Sequence, residues 1–386
     1  MIMKVMKKVL AAALMAAMVV SMTACGGAKG GSSTWKIGGI GPLTGGAALY
    51  GNAALNGAQI AVDEINEAGG INGYKIEFKA EDDQHDAEKS VNAYNSLKDW
   101  GMQALCGTVT TTPCLAVAEL SAEDNIFEVT PSASNPDVVS HDNCFQVCFT
   151  DPNQGSASAK YIGEKKLASK VAVIYNSSDS YSQGVEETFV KEAANQSFEI
   201  VVETAFTDDS KTDFSTQLQQ CQDAGAELVF CPFYYEVAAV ILTQADQMGY
   251  KPIFFGVDGM DGILGVENFD TKLAEGVYLL TPFAADAADE RTQKFVKTYQ
   301  DKYGETPIQF AADGYDVIYV IKAAAEKANL KPDQTNEELC KALSQAMTQV
   351  SVDGLTGEGM TWAASGEVSK APMAVIIKDG VYVSVE

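Results

Sequence analysis

Histidine is almost missing from this chain: its 386 residues hold two, His85 and His141. A histidine-rich metal site or a Ser-His-Asp catalytic group therefore has little to be built from. No G-x-S-x-G nucleophile turn occurs, and Gly39-Ile40-Gly41 is an incomplete dinucleotide fingerprint with Pro42 directly after it. Neither a catalytic nucleophile nor a cofactor is expected. Asp82, Asp83, His85 and Asp86 bring metal-ligand residue types close together, but a run of acids after a strand reads as a solvated face. Basic residues are also scarce, with 27 Lys and Arg against 52 Asp and Glu, for a net charge of −25. Residues 1–24 carry three lysines and no acid, so the remainder of the chain stands at −28. Such a charge disfavours nucleic acid and anionic membrane as partners.

Long apolar runs are lacking as well. The run Val9–Val20 falls short of the roughly 20 residues that a bilayer-spanning helix requires. It follows Lys4, Lys7 and Lys8 and leads into small residues, the form of an export signal. Ser21-Met22-Thr23-Ala24-Cys25-Gly26-Gly27 resembles a bacterial lipobox, with Met22 where Leu usually stands. The reading is a lipid on Cys25 and a Gly/Ser tether over residues 25–34, against an ordinary signal with an incidental cysteine. Seven of the eight cysteines remain after Cys25, an odd number that cannot all pair within the chain. Cys106, Cys114, Cys221 and Cys231 lie in or beside apolar stretches and read as small buried side chains. Cys144 and Cys148 share one apparent strand, which argues against a bridge between them.

What is present is alternation. From Trp35 onward, short β-rich runs alternate with helix-length segments, the mark of parallel α/β sheets. Expected strands are Lys36–Ile40, Tyr74–Ala80, Gln103–Cys106, Asn125–Val129 and Cys144–Phe149, then Lys170–Tyr175, Glu199–Phe206, Glu227–Phe233 and Pro252–Val257. Leu55, Ala58, Val62 and Ile65 fall on one helix face, ended by Gly69-Gly70. Two such series in succession imply two similar lobes. Later helices are expected at Glu290–Tyr303, Phe310–Ala328 and Glu337–Thr348, before strands at Met373–Ile377 and Val381–Val385.

Several blocks resemble one family in order along the chain. They are Ile40-Gly41-Pro42-Leu43-Thr44-Gly45, Tyr50-Gly51, Asn56-Gly57, Ala61 to Gly73, Glu81-Asp82-Asp83, Thr130 to Pro136, Asp151 to Gly155, Tyr181, Gly184, and Gly256-Val257-Asp258-Gly259. The chain is similar to the type I periplasmic binding proteins, in the leucine/isoleucine/valine-binding branch that feeds ABC transporters. That resemblance implies two Rossmann-like lobes with parallel sheets joined by three hinge crossings, and a ligand held between them at the carboxyl ends of the strands. It places lobe 1 at 35–150 plus 282–353 and lobe 2 at 151–281 plus 354–386. The crossings would fall near Thr150-Asp151, near Thr281-Pro282 and before Gly354.

An amino-acid ligand needs hydroxyl and N–H donors, an anionic acceptor and a fitted wall. Thr108 to Pro113 follows a strand and opens a helix, so its hydroxyls and free N–H groups can meet an anion; helix capping by one threonine is the competing use. The resemblance implies a carboxylate contact from Thr110 or Thr111, backbone contacts from Ser132 and Ser134, and aromatic contacts from Tyr181 and Tyr234 on lobe 2. It implies Tyr50 beside the ligand side chain and Asp258 as partner of the ammonium, with Asp261 as the competing register. Asp151 would bind through water or organise the hinge, and Gln154 would cap the following helix. Ser132 stands where branched-chain binders usually have Ala. The expected protein is a monomeric lipoprotein and not an enzyme, handing an amino acid to a membrane permease. A sensing subunit, or a binder of another amino acid, amide or small carboxylate, is the alternative.

Overall fold

A computed structural model describes residues 34–385; the lipidation expectation at Cys25 lies outside them. Two sheets organise the chain. The first runs β2-β1-β3-β4-β5, all parallel, from β1 (Trp35–Gly41), β2 (Ile76–Asp82), β3 (Ala104–Cys106), β4 (Phe127–Thr130) and β5 (Cys144–Gln146). The second runs β12-β11-β10-β9-β8-β6-β7, from β6 (Lys170–Asn176), β7 (Glu199–Phe206), β8 (Leu228–Cys231), β9 (Ile253–Gly256), β10 (Tyr278–Thr281), β11 (Met373–Lys378) and β12 (Val381–Val385). β3, β4 and β8 are buried at every residue, as strands covered by helices on both faces must be.

One part of the second sheet is not parallel. β11 pairs antiparallel with β10 and with β12. The two-residue turn Asp379-Gly380 joins β11 to β12 with both residues at positive φ, 52° and 74°, the hairpin geometry that Asp-Gly favours. β5 also stops earlier than expected, at Gln146 rather than Phe149. Val147 N–H still donates to Thr130 O at 3.0 Å, after which the chain leaves the sheet. Thr150 then caps α4 (Asp151–Lys165), its hydroxyl accepting from Asn153 N–H.

Helix α1 (Ala48–Glu67) shows why a periodic stripe tells only part of the packing. Leu55, Ala58, Val62 and Ile65 are buried as their spacing predicts, but so are Ala54, Gly57 and Ala61. Their cover is α9 (Gln309–Lys327), which crosses α1 at glycine. A Cβ on Gly57 would lie 1.8 Å from Ala311 O, and one on Gly314 2.0 Å from Ala54 O. Helix α8 (Glu290–Tyr303) joins the same layer, with Lys302 paired to Asp63 on α1.

The segment after α10 (Asn336–Met347) differs from expectation. The third crossing does not come before Gly354: residues 352–370 stay with the first sheet. Gln146 N–H donates to Gly366 O, Trp362 Nε1 donates to Gln146 O at 2.8 Å, and Lys370 Nζ donates to Val147 O at 3.0 Å. Lys370 also pairs with Asp313 of α9 at 3.2 Å and bonds the Thr356 hydroxyl, both sides of the ion pair being buried. A buried lysine needs such partners, so the chain is held here until Lys370 and crosses only before Met373.

All seven described cysteines are free and buried, Cys144 and Cys148 included. Cys114 and Cys144 donate weakly to the Glu128 carboxylate on β4, at 3.6 and 3.9 Å. Burial pushes Glu128 up to about 7. Because its folded value lies above its unfolded one, the stability it contributes is full at acid pH and is lost as pH rises through about 7. Glu128→Gln should therefore flatten the fall in melting temperature between pH 5 and pH 8, by on the order of 1–3 kcal/mol in stability. An equally steep profile in the variant would remove Glu128 from the effect.

Candidate functional site

The carboxyl ends of both sheets face one cleft. Thr110 and Thr111 follow β3, Ser132 and Ser134 follow β4, Tyr181 follows β6, Tyr234 follows β8 and Asp258 follows β9; with Tyr50 of α1 they line a single pocket. Val109, Gly259 and Phe310 complete its wall.

On the first-lobe side, Thr110 occupies the N-cap position of α3 (Thr111–Asp124), yet its side chain makes no capping bond. The hydroxyl turns instead to His85 Nδ1, 2.9 Å away. The first turn of α3 thus keeps unpaired N–H groups beside two threonine hydroxyls, an arrangement suited to an anion. The Ser132 hydroxyl is spent locally on Val109 O at 2.6 Å. Ser134 O accepts from Asp151 N–H at 2.9 Å.

On the opposite side, Asp258 is fully buried and engaged by two neutral donors. Tyr181 OH donates to Oδ1 at 2.6 Å and Gln154 Nε2 to Oδ2 at 2.9 Å. Two carboxylate oxygens offer about four acceptor positions, so room remains for a further donor. Burial pushes Asp258 up to about 7 against the pull of those hydrogen bonds. Asp261 does something else: its Oδ2 accepts Gln309 N–H at 2.8 Å, tying the second lobe to the start of α9.

Aromatic rings close the space between. Tyr181 and Tyr234 stack at 5.2 Å with planes 2° apart, while Tyr50 meets Tyr234 edge-on at 5.6 Å and lies tilted by 32° against Phe310 at 4.2 Å. Burial raises the Tyr50, Tyr181 and Tyr234 phenols well above their ordinary value, so they remain neutral. The cleft therefore offers a hydroxyl and N–H end, a carboxylate end and an aromatic wall.

Residues 34–380 match the family model described as Periplasmic binding protein. The chain belongs to that family. It is 29% identical over 360 residues to a Leu/Ile/Val-binding protein homolog of Brucella melitensis, covering 91% of this chain and 93% of that one. It is 26% identical over 311 residues to a leucine-, isoleucine-, valine-, threonine- and alanine-binding protein of Pseudomonas aeruginosa, covering 80% and 82%. Among solved structures, the branched-chain amino acid transporter substrate binding protein LivJ of Streptococcus pneumoniae, in complex with isoleucine, superposes with a TM-score of 0.83 at 27% identity. It covers 92% of this chain and 99% of that one. A benzoate complex of a solute binding protein from R. palustris, at 19% identity and a TM-score of 0.80 over 91% and 95% of the two chains, shares the fold alone.

Direct bonds join the lobes of this periplasmic binding protein around the cleft. The Tyr50 hydroxyl donates to Gly259 O and accepts Tyr235 N–H at 3.2 Å, and Leu49 N–H donates to the Tyr235 hydroxyl at 3.3 Å. Asp151 is not in the wall. It is buried in the first turn of α4 against Gly184 of α5 (Ser180–Ala193), where a Cβ would come within 2.8 Å of its Oδ2, and burial pushes its carboxyl well up. Both of its carboxylate oxygens are buried without a hydrogen-bond partner among the described residues, so Asp151 makes no direct contribution to the pocket wall and holds no partner of its own there. Gln154, expected only as a helix cap, reaches Asp258 instead.

Three contributors were not legible beforehand. Phe310 stands at the start of α9, distant in sequence from every other wall residue. Gly259 contributes backbone: its N–H donates to Tyr181 OH at 3.0 Å. His85, in a run of acids that reads as a solvated face, is instead half-buried against Thr110 and Tyr234. The rest of that loop is structural: Asp82 accepts from Leu43 and Thr44 N–H groups, and Asp83 is fully buried and accepts His85 N–H at 2.8 Å. No metal-binding cluster occurs among the described residues.

Proposed function

We propose that the chain is the extracytoplasmic substrate-binding component of an ABC importer, and that it captures a free α-amino acid with an aliphatic side chain, leucine, isoleucine or valine. The observation that carries this is the pairing of Asp258 with the uncapped start of α3 across one cleft. A buried carboxylate whose hydrogen-bond partners are neutral is costly, and an α-ammonium supplies the missing cation. The α-carboxylate then meets Thr110, Thr111 and the N–H groups of α3. The aromatic wall is left to the side chain. Ser132 gives little polarity to that wall, because its hydroxyl is bound to Val109 O; this supports an aliphatic ligand. The named amino-acid ligands of the relatives point the same way.

Capture proceeds by closure. Ligand held on the first lobe's donors gains Asp258 and the stacked tyrosines only when the lobes meet, and this difference in contacts is what favours the closed form. A lipid on Cys25 and the tether behind it would keep the lobes near a permease. Among the described residues no helix is long and apolar enough to cross a membrane.

The test is thermal unfolding of the chain without residues 1–25, screened against the proteinogenic amino acids, their amides and small carboxylates including benzoate. Ligand at a hundred times its Kd should stabilise the protein by about 2.7 kcal/mol. The expected result is a shift with leucine, isoleucine or valine. A shift only with acids that lack an ammonium would end the proposed role of Asp258.

A further inference from the structure

We propose that His85 is a positioning residue for the ligand's carboxylate, orienting the Thr110 hydroxyl through its ring nitrogen so that ligand capture and the protonation of this imidazole are coupled. The inference rests on the α-amino-acid reading above.

The loop between β2 and α2 (Ala87–Trp100) is built to aim this ring. Gln84 and His85 both adopt left-handed backbone, at φ 52° and 58°, a conformation uncommon outside glycine. The buried Asp83 carboxylate holds His85 N–H at 2.8 Å, and Asp83 O accepts Asp86 N–H at 2.9 Å. Fixed in this way, the imidazole places Nδ1 2.9 Å from Thr110 Oγ1 on the first lobe and meets Tyr234 of the second edge-on, at 5.6 Å and 89°. It is a contact between a ligand donor and the wall that closes over the ligand.

A hydroxyl has one proton to give. When Nδ1 is bare, Thr110 donates to it and turns lone pairs toward the carboxylate position, where they repel. When Nδ1 carries a proton, Thr110 accepts from the ring and its own proton is free for the ligand. A bound carboxylate therefore selects the protonated Nδ1, and an imidazolium most of all, since it adds positive charge beside the anion. The charged groups facing the ring are Asp86 on its own loop and Asp208 and Lys211 on the second lobe; the neutral Tyr234 phenol and Thr110 complete its surroundings. Burial lowers the imidazole's affinity for a proton and Lys211 lowers it further, while Asp208 and Asp86 raise it. A ligand carboxylate joins the raising side, and by linkage proton binding at His85 tightens capture in return.

Protonation of Asp258 acts in the opposite direction as pH falls, so total affinity is a poor readout. The imidazoles themselves are a clean one, because the chain has only two. Proton NMR titration of the wild-type protein with and without saturating L-leucine should show the His85 signal titrating at higher pH in the complex and His141, assigned with His141→Gln, unmoved. Calorimetry supplies the second readout. His85→Phe keeps a ring against Tyr234 but has no donor, and should weaken leucine about tenfold and L-leucinamide much less. His85→Asn keeps an N–H near the place of Nδ1 and should restore most of the loss. An unmoved His85 titration, a His85→Phe protein that binds leucine as well as wild type, or a His85→Asn protein as weak as His85→Phe would each overturn the proposal while the binding function stands. Wild type that binds none of leucine, isoleucine and valine would overturn the aliphatic ligand assignment and this proposal together.

Discussion

Asp258→Asn should weaken binding of an α-amino acid roughly tenfold to hundredfold at pH 8, the range expected for one charge-assisted hydrogen bond of about 1.5–3 kcal/mol. The asparagine side chain can still accept from Tyr181 or Gln154, which bond Asp258 at 2.6 and 2.9 Å, so the pocket should keep its shape. The same group fixes a pH dependence. An ammonium needs the ionised carboxylate, and Asp258 is held up at about 7 by burial; its contribution to affinity should therefore fade as pH drops through 7. Without ligand the sign reverses. A carboxyl raised above its unfolded value adds stability at acid pH that is lost as pH rises through about 7, so Asp258→Asn should be more stable than wild type at pH 8 and bind worse. Isothermal calorimetry and thermal melts at pH 6 and 8 measure both. An unchanged Kd at pH 8 would take Asp258 out of the site.

Gly57→Ala should produce the largest loss of stability from a single methyl group. An alanine in a helix interior gains about 1 kcal/mol over glycine by propensity. Here the new Cβ would stand 1.8 Å from the backbone oxygen of Ala311. A flexible side chain could turn away from such a contact, but a helix backbone cannot. The helices must separate, and forcing atoms into a packed core costs about 1–3 kcal/mol and occasionally more. The penalty should also reach the cleft. Tyr50 near the start of α1 packs on Phe310 near the start of α9 at 4.2 Å, so parting the helices displaces two wall residues together. Denaturant melts should show a lowered midpoint, and calorimetry a weaker ligand. A midpoint equal to wild type would mean that α1 and α9 do not cross this closely in solution.

Much of the architecture is written locally, and the reason differs by element. The strands of the first series are short β-rich runs bounded by turn residues, and their positions follow from that pattern to within a few residues. β5 is the instructive exception: Cys144 to Phe149 stays apolar after the strand ends at Gln146, because a hinge segment buried between lobes is as hydrophobic as a strand. The antiparallel hairpin at the end was carried by Asp379-Gly380, a two-residue signal easily passed over beside a long parallel series. The third crossing lies later than the sequence suggests because Lys370 reads there as an ordinary surface lysine. Its partners Asp313, Thr356 and Val147 O come from three separate parts of the chain.

Periodicity, turn chemistry and blocks contiguous along the chain were enough to set the α/β alternation, the two-lobe plan and the loops that end at the cleft. What each polar group in those loops does depends on the folded arrangement around it. Asp258 and Asp261 are equivalent as residues in a turn, yet one faces Tyr181 and Gln154 in the cleft and the other holds Gln309 N–H of α9. Thr110 had the makings of a helix cap and became a partner of His85, while Asp151 is not among the residues that line the pocket and keeps both carboxylate oxygens buried without a partner among the described residues. A hydrogen bond is chosen by distance and direction within about 3 Å, and residues separated by dozens of positions meet at that scale only after the lobes have folded.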